Sequence, residues 1–108
     1  MKRKKRSDRE TVIPLREDPR VGEIAISMAG HDAGLILVVI AGIDGQHVLA
    51  ADGRTRKLML PKKKKMRHLN VIARLSEEDV RLLRAGKIND SFLRRKISSL
   101  NLETLAQS

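Results

Sequence analysis

The sequence contains no cysteine, so it can form neither a disulfide nor a thiolate metal site. It also lacks tryptophan and tyrosine, and Phe92 is its only aromatic residue. Recognition of nucleic acid by stacking successive bases on a platform of aromatic rings is therefore excluded. Any binding of RNA or DNA must depend on phosphate contacts, backbone groups and the planes of arginine or histidine side chains.

Long hydrophobic runs are absent as well. The longest, Leu35 to Ile43, is interrupted by Gly42 and is far too short to span a bilayer. The segment from Met1 to Arg6 is basic, as at the start of a secretion signal, but polar residues follow it instead of an apolar stretch. We therefore expect a soluble cytoplasmic protein with no membrane partner.

Two adjacent segments each lack charge of one sign, the first having no cations and the second no acids. Residues 21–53 contain no lysine or arginine, whereas residues 54–74 contain nine of these cations and no acid. The whole chain of 108 residues has a formal net charge of +10. A basic segment without neutralising acids is typical of a surface that binds a polyanion, most often nucleic acid.

The cation-free segment has the pattern of β-strands. Residues 23–28 alternate polar and apolar side chains, which predicts a half-buried strand with Ile24, Ile26 and Met28 on one face. Residues 35–40 are rich in β-branched side chains and predict a central strand. An Asp44-Gly45 pair then predicts a hairpin to a returning strand that begins near His47.

The basic segment is harder to assign. We expect residues 56–60 to be extended, Pro61 to end that strand, and the lysines after it to form a loop that can follow a phosphate backbone. A last strand is predicted within residues 66–74, with Leu69, Val71 and Ala73 on one face.

The periodicity changes to helical at Ser76. This serine has the pattern of an N-cap, three acids follow it, and Gly86 is a candidate C-terminal cap. A second helix is predicted through Leu100, with Asp90 or Ser91 as its N-terminal cap. We expect the apolar sides of these helices to cover an open edge of the barrel, with docking of a partner protein as the alternative.

Together these elements predict a mainly β fold, a small antiparallel barrel with one or two short C-terminal helices. Residues 1–20 are predicted to be a basic, flexible N-terminal arm, residues 21–75 the barrel, and residues 76–108 a helical extension.

One set of glycines, aspartates and apolar residues has the spacing of a known motif: Gly22, Ser27, Gly30, Asp32, Gly34, Val38, Val39, Val48, Leu49, Asp52 and Gly53. With the basic continuation, residues 21–72 resemble the KOW domain of RNA-binding proteins, in particular the archaeal and eukaryotic type found in large ribosomal subunits. The resemblance implies an SH3-like barrel whose loop at residues 29–34 lies near ribosomal RNA or a protein partner. Many relatives carry cations around the positions of His31 and Ala33, so the departure here shifts the expected phosphate contact to the basic segment.

The candidate RNA-binding residues are the cations of the basic segment and two nearby histidines: Arg54, Arg56, Lys57, Lys62, Lys63, Lys64, Lys65, Arg67, His68 and His31. If residues 54–56 are extended, the side chains of Arg54 and Arg56 point the same way and can grip one phosphate or stack on a base. The alternative is a solvated charged surface that only keeps the protein soluble.

No pattern of residues predicts an enzyme. The three histidines have no ligand spacing, so no metal and no cofactor is expected. Each of Asp32, Asp44 and Asp52 lies near a turn glycine, and local hydrogen bonding explains these aspartates better than acid–base chemistry.

The sequence therefore favours a non-enzymatic RNA-binding protein associated with the ribosome. Its predicted partners are ribosomal RNA and ribosomal proteins, with no small-molecule substrate. One alternative is a KOW module that binds a protein of the transcription or translation machinery, and another is a protein that compacts DNA without sequence specificity.

Overall fold

A computed structural model describes residues 14–107, with side chains described as far as residue 100. The described residues form five strands, a short 3-10 helix at Met66–His68 and two α-helices. Their bounds are β1 Glu23–Ser27, β2 Ile36–Gly42, β3 His47–Ala51, β4 Lys62–Lys65, β5 Leu69–Arg74, α1 Glu77–Arg84 and α2 Asp90–Gln107. The predicted mainly β fold with C-terminal helices is confirmed.

All five strands belong to one antiparallel sheet with the order β4-β3-β2-β1-β5. The two outermost strands, β4 and β5, are joined only by the 3-10 helix of three residues. Their adjoining ends must therefore lie close together, so the sheet curls into a small barrel-like fold. Register shifts between Val39 and Ala41 of β2, and opposite Ile24 and Ala25 of β1, mark bulges that increase this bending.

The central strands β1, β2 and β3 have buried residues on both faces of the sheet. Its inner face holds one apolar cluster: Ala25, Leu37, Val39, Val48, Ala50 and Leu69. Its outer face and the helices share a second cluster: Val21, Ile24, Val38, Ala51, Leu75, Val80, Leu83 and Leu93. Central strand β2 contributes alternate residues to both clusters, which explains its continuous apolar sequence.

Burial of both faces contradicts the predicted half-buried strands. Ile24 is buried, but Met28 is exposed, and the buried residues Ala25 and Ser27 lie between the predicted core positions. In β5, Ala73 packs on the outer cluster while Val71 is exposed. The bulge opposite β1 interrupts the alternation of β5, so residues two apart do not keep to one face.

Helix α1 begins and ends as predicted. The Ser76 hydroxyl accepts a hydrogen bond from the Asp79 N–H at 3.1 Å, and Gly86 follows the last turn with φ +74°. Its inward side chains, Val80 and Leu83, are buried against the sheet.

Helix α2 differs from its prediction at both ends. Its N-terminal cap is Asn89, whose side-chain oxygen accepts from the Phe92 N–H at 2.8 Å, while the predicted cap Asp90 bonds elsewhere. The helix continues past Leu100 to Gln107. Leu93 is completely buried against the sheet, so the helices cover a face of the sheet and not the predicted open edge.

The basic segment also departs from expectation. Residues 56–60 contain turns and bends instead of a strand, and the lysine run is strand β4 instead of a loop. Pro61 precedes this strand and does not end one. The backbone of β4 pairs with β3 from Lys62 to Lys65 despite the repulsion among four lysines.

Part of the predicted flexible arm lies on the barrel. Leu15 pairs with Gly42 through two backbone hydrogen bonds, and Asp18 forms an ion pair with Arg20 at 2.8 Å. Arg20 also donates to the carbonyl of Asp44 at 2.6 Å. The prediction of a flexible arm is therefore wrong for residues 14–20, and its remainder lies outside the described residues.

We expect Gly53→Ala to lower the free energy of unfolding by about 2–4 kcal/mol. Gly53 has φ +79°, and a Cβ there would press on the Asp90 carbonyl at the start of α2. The matched control is Gly34→Ala, at φ +92° in open space, which should cost only the backbone strain of about 1–2 kcal/mol. Urea unfolding measures both, and equal losses would show that the contact with α2 is unimportant.

Stability should fall in acid because hydrogen bonds from Arg20 hold the pKa of Asp18 at about 2, below its ordinary 3.8. The unfolded chain takes up a proton at this residue near pH 3.8 and the folded chain only near pH 2, so this contribution is full above about pH 5 and disappears towards pH 2. Asp18→Asn should cost about 1–2 kcal/mol at neutral pH and much less at about pH 2. Urea unfolding at both pH values tests this, with the exposed neighbour variant Glu17→Gln as control.

Candidate nucleic-acid interface

Strand β4 divides its lysines between two sides of the sheet. It lies at one end of the strand order, so no other strand within residues 14–107 covers its outer edge. Lys62 and Lys64 lie opposite Ala50 and Val48, which belong to the inner cluster. Residues directly opposite in an antiparallel pair share a face, so Lys63 and Lys65 are on the other side.

Lys64 is not available to a ligand. It is only 7 % exposed, and its Nζ lies 3.4 Å from the Ala29 carbonyl oxygen, which accepts its hydrogen bond. The alternation of a strand turns this side chain inward, where it joins β4 to the loop of residues 29–34. The prediction that Lys64 contacts RNA is therefore contradicted by its burial.

Arg56 is likewise engaged inside the protein. Its guanidinium donates to both carboxylate oxygens of Asp32, with Nη2 at 3.0 Å from Oδ1, and the Asp32 side chain is only 4 % exposed. Burial raises the pKa of Asp32, but the hydrogen bonds and charge of Arg56, aided by Lys64 and Lys62, outweigh it and leave the pKa lowered. Arg56 is thus a structural partner of Asp32, and its predicted role in phosphate binding is not supported by the geometry.

The predicted pairing of Arg54 with Arg56 on one face does not occur. These residues lie in a bend, where the alternation of a strand does not apply. The Asp52 side chain shapes this bend by accepting from the N–H groups of Arg54 at 2.9 Å and Arg56 at 2.7 Å. Arg54 remains exposed while Arg56 turns towards Asp32.

Within residues 54–67 six cations are exposed: Arg54, Lys57, Lys62, Lys63, Lys65 and Arg67. None of them forms a salt bridge with an acid within residues 14–100. Lys65 and Arg67 line a groove of about 350 Å³ together with Gly45, Gln46 and Met66. The cations occupy both sides of an edge strand and the turn before it, so they do not form one continuous strip.

The two candidate histidines lie beside this segment. His31 is exposed in the loop that Lys64 and Arg56 tie to the basic segment, so the fold brings this loop to the cations. His68 ends the 3-10 helix and is half-buried, and its carbonyl accepts from the Met28 N–H at 2.8 Å. His31 is therefore the more accessible of the two.

Asp44 and Asp52 have the local roles that were predicted, whereas the Asp32 carboxylate pairs with distant Arg56. The Asp44 carboxylate accepts from the N–H groups of Gln46 and His47 and contacts the His47 ring at 2.9 Å. The hydrogen bond from the His47 ring is the main cause of the lowered pKa of Asp44.

No three histidine or acidic side chains come together as metal ligands in the described part of the chain. Neither described helix has the length and apolar character needed to cross a bilayer.

Sequence reasoning missed a second group of arginines. Arg74, Arg81 and Arg84 line a concavity of about 310 Å³ beside α1. Two of them hold the N-terminal segment, because Arg74 donates to the Pro19 carbonyl at 3.1 Å and Arg84 to the Arg16 carbonyl at 3.1 Å. The spacing of Arg81 and Arg84 on one helical face was visible, but their carbonyl partners were not.

Replacing two adjacent lysines in turn should show that Lys64 stabilises the fold and that Lys63 does not. We expect Lys64→Ala to lower the free energy of unfolding by about 1–2 kcal/mol, because the buried side chain loses its packing and its bond to the Ala29 carbonyl. Lys63→Ala, one residue away and exposed, should change it by less than about 0.5 kcal/mol. Urea unfolding of the two variants measures this difference, and equal stability would contradict the inward placement of Lys64.

Comparison of the chain with protein-family models and with curated proteins finds no match. The function of this surface is therefore inferred from its residues, from their geometry and from the resemblance noted in the sequence.

Proposed function

We propose that this protein binds RNA through the exposed cations of residues 54–67 and that it acts in the cytoplasm in association with ribosomal RNA. The observation that carries the proposal is the group of six exposed cations without a salt-bridge partner among the described residues. The proposal assigns the protein no catalytic role and no cofactor.

The arrangement of the cations favours a phosphate backbone as the ligand. Lysines spaced along an edge strand can each reach a separate phosphate, and such contacts supply affinity without reading sequence. Gly45 also lines the groove formed by Lys65 and Arg67, so its backbone groups can contact an RNA strand that lies in this groove. The resemblance to KOW domains supports the choice of RNA over DNA.

Burial of Lys64 and pairing of Arg56 reduce the number of cations that can contribute. If about five phosphates are neutralised, the logarithm of the affinity should fall with the logarithm of salt concentration at a slope of about −4.5 for a duplex and −3.5 for a single strand. A ribosomal RNA fragment and random duplex DNA, titrated over a range of salt concentrations, test the proposal.

We expect the double variant Lys62→Gln with Lys63→Gln to lose two phosphate contacts. The magnitude of the salt-dependence slope of its binding to the RNA fragment should therefore be smaller by about 2. Arg81→Gln with Lys87→Gln removes the same charge from exposed positions outside the basic segment and should leave the slope nearly unchanged. Circular dichroism checks that both variants keep the fold.

Two outcomes would contradict the proposal. Equal slopes for the two double variants would show that only total charge matters. Equal affinity for random DNA and for the RNA fragment would favour a protein that compacts nucleic acid without specificity.

A further inference from the structure

The two most exposed large hydrophobic residues of the described chain are neighbours within the basic segment. Met59 is 86 % exposed and Leu60 is 78 % exposed. Other large exposed apolar residues, such as Met28 and Val71, stand apart from each other in the sequence. Single exposed apolar residues are common on protein surfaces, but two adjacent ones at the tip of a turn form a contact surface of their own.

The turn that presents these residues is held in place on both sides. Leu58 packs against the outer cluster, and its N–H donates to the Asp90 carboxylate at 2.8 Å. The Leu60 N–H donates to the Lys57 carbonyl at 2.9 Å, which closes the turn. Met59 and Leu60 are thus exposed because a hydrogen-bonded turn directs them outward, so little backbone entropy would be lost when they bind.

Cations flank this apolar tip in the sequence. Exposed Arg54 and Lys57 precede it, and exposed Lys62 and Lys63 follow it, with no acid anywhere in residues 54–74. This charge complements a polyanion that surrounds the tip. Two side chains are also too few for a protein interface, which covers about 800 Å² of each partner, whereas one or two apolar side chains suffice to wedge between bases.

We propose, on the basis of the RNA-binding function above, that Met59 and Leu60 form an apolar wedge that contacts the faces of bases where stacking in RNA is interrupted. The cations on either side hold the phosphates, and the wedge selects RNA with an unpaired base or an exposed helix end over a continuous duplex. Because this chain lacks aromatic rings, the sequence predicted only phosphate, backbone, arginine and histidine contacts, and an apolar contact from Met59 and Leu60 adds to that set.

The test compares a fully paired RNA duplex with the same duplex carrying one unpaired adenine, next to which a fluorescent base reports unstacking. The wild-type protein should bind the bulged RNA about tenfold more tightly, the factor expected from partial burial of two apolar side chains, and should increase the fluorescence. Met59→Ser with Leu60→Ser should remove the preference and the fluorescence change. It should leave the salt slope unchanged, because no charge is altered.

Val71→Ser, which removes an exposed apolar side chain from β5, is the matched control and should keep the preference. Thermal unfolding confirms that both variants fold. If the double serine variant retains the preference while RNA binding remains salt-dependent, the wedge is wrong and the proposed function stands. If the wild-type protein binds neither RNA in a salt-dependent manner, the proposed function and the wedge both fail.

Discussion

Strand β2 is covered on both faces, and the rest of the structure depends on that burial. Leu37 and Val39 face the interior of the curled sheet, while Val38 faces the helices, and all three are completely buried. No charged side chain can occupy such a strand without a large desolvation cost. Within residues 21–74 the cations therefore lie in the outermost strands β4 and β5, in the 3-10 helix and in the loops, and the candidate interface lies there for the same reason that the core is apolar.

An edge strand made of lysines also solves a structural problem. No described strand pairs with the outer edge of β4, so its backbone groups could pair with a second copy of the chain, and lysines on such an edge oppose that pairing. The same charges can contact phosphates, so protection of the edge and binding of RNA are compatible uses of one strand. The alternation of β4 limits both uses, because Lys64 is buried and only its neighbours remain outside.

Asp32 limits the number of cations in the basic segment that can contact a ligand. Its buried carboxylate holds Arg56 and lies within the field of Lys62 and Lys64, so one acid from the loop of residues 29–34 lowers the charge that the surface presents. The same contacts place that loop, with exposed His31, beside the cations. A residue that looked like a turn former in the sequence therefore also joins the loop to the interface.

The sequence by itself determined the fold class, the central position of β2, the start of α1 at Ser76 and the segment that holds the exposed cations, because apolar patterns, caps and charge runs act locally. It did not determine which faces are buried, since covering the outer face of the sheet requires helices that begin at residue 77. The β5 bulge, the inward turn of Lys64 and the pairing of Arg56 with Asp32 join residues far apart in the chain. Only the tertiary structure decided these features, and with them which cations of the basic segment remain accessible and that Met59 and Leu60 are presented outward among them.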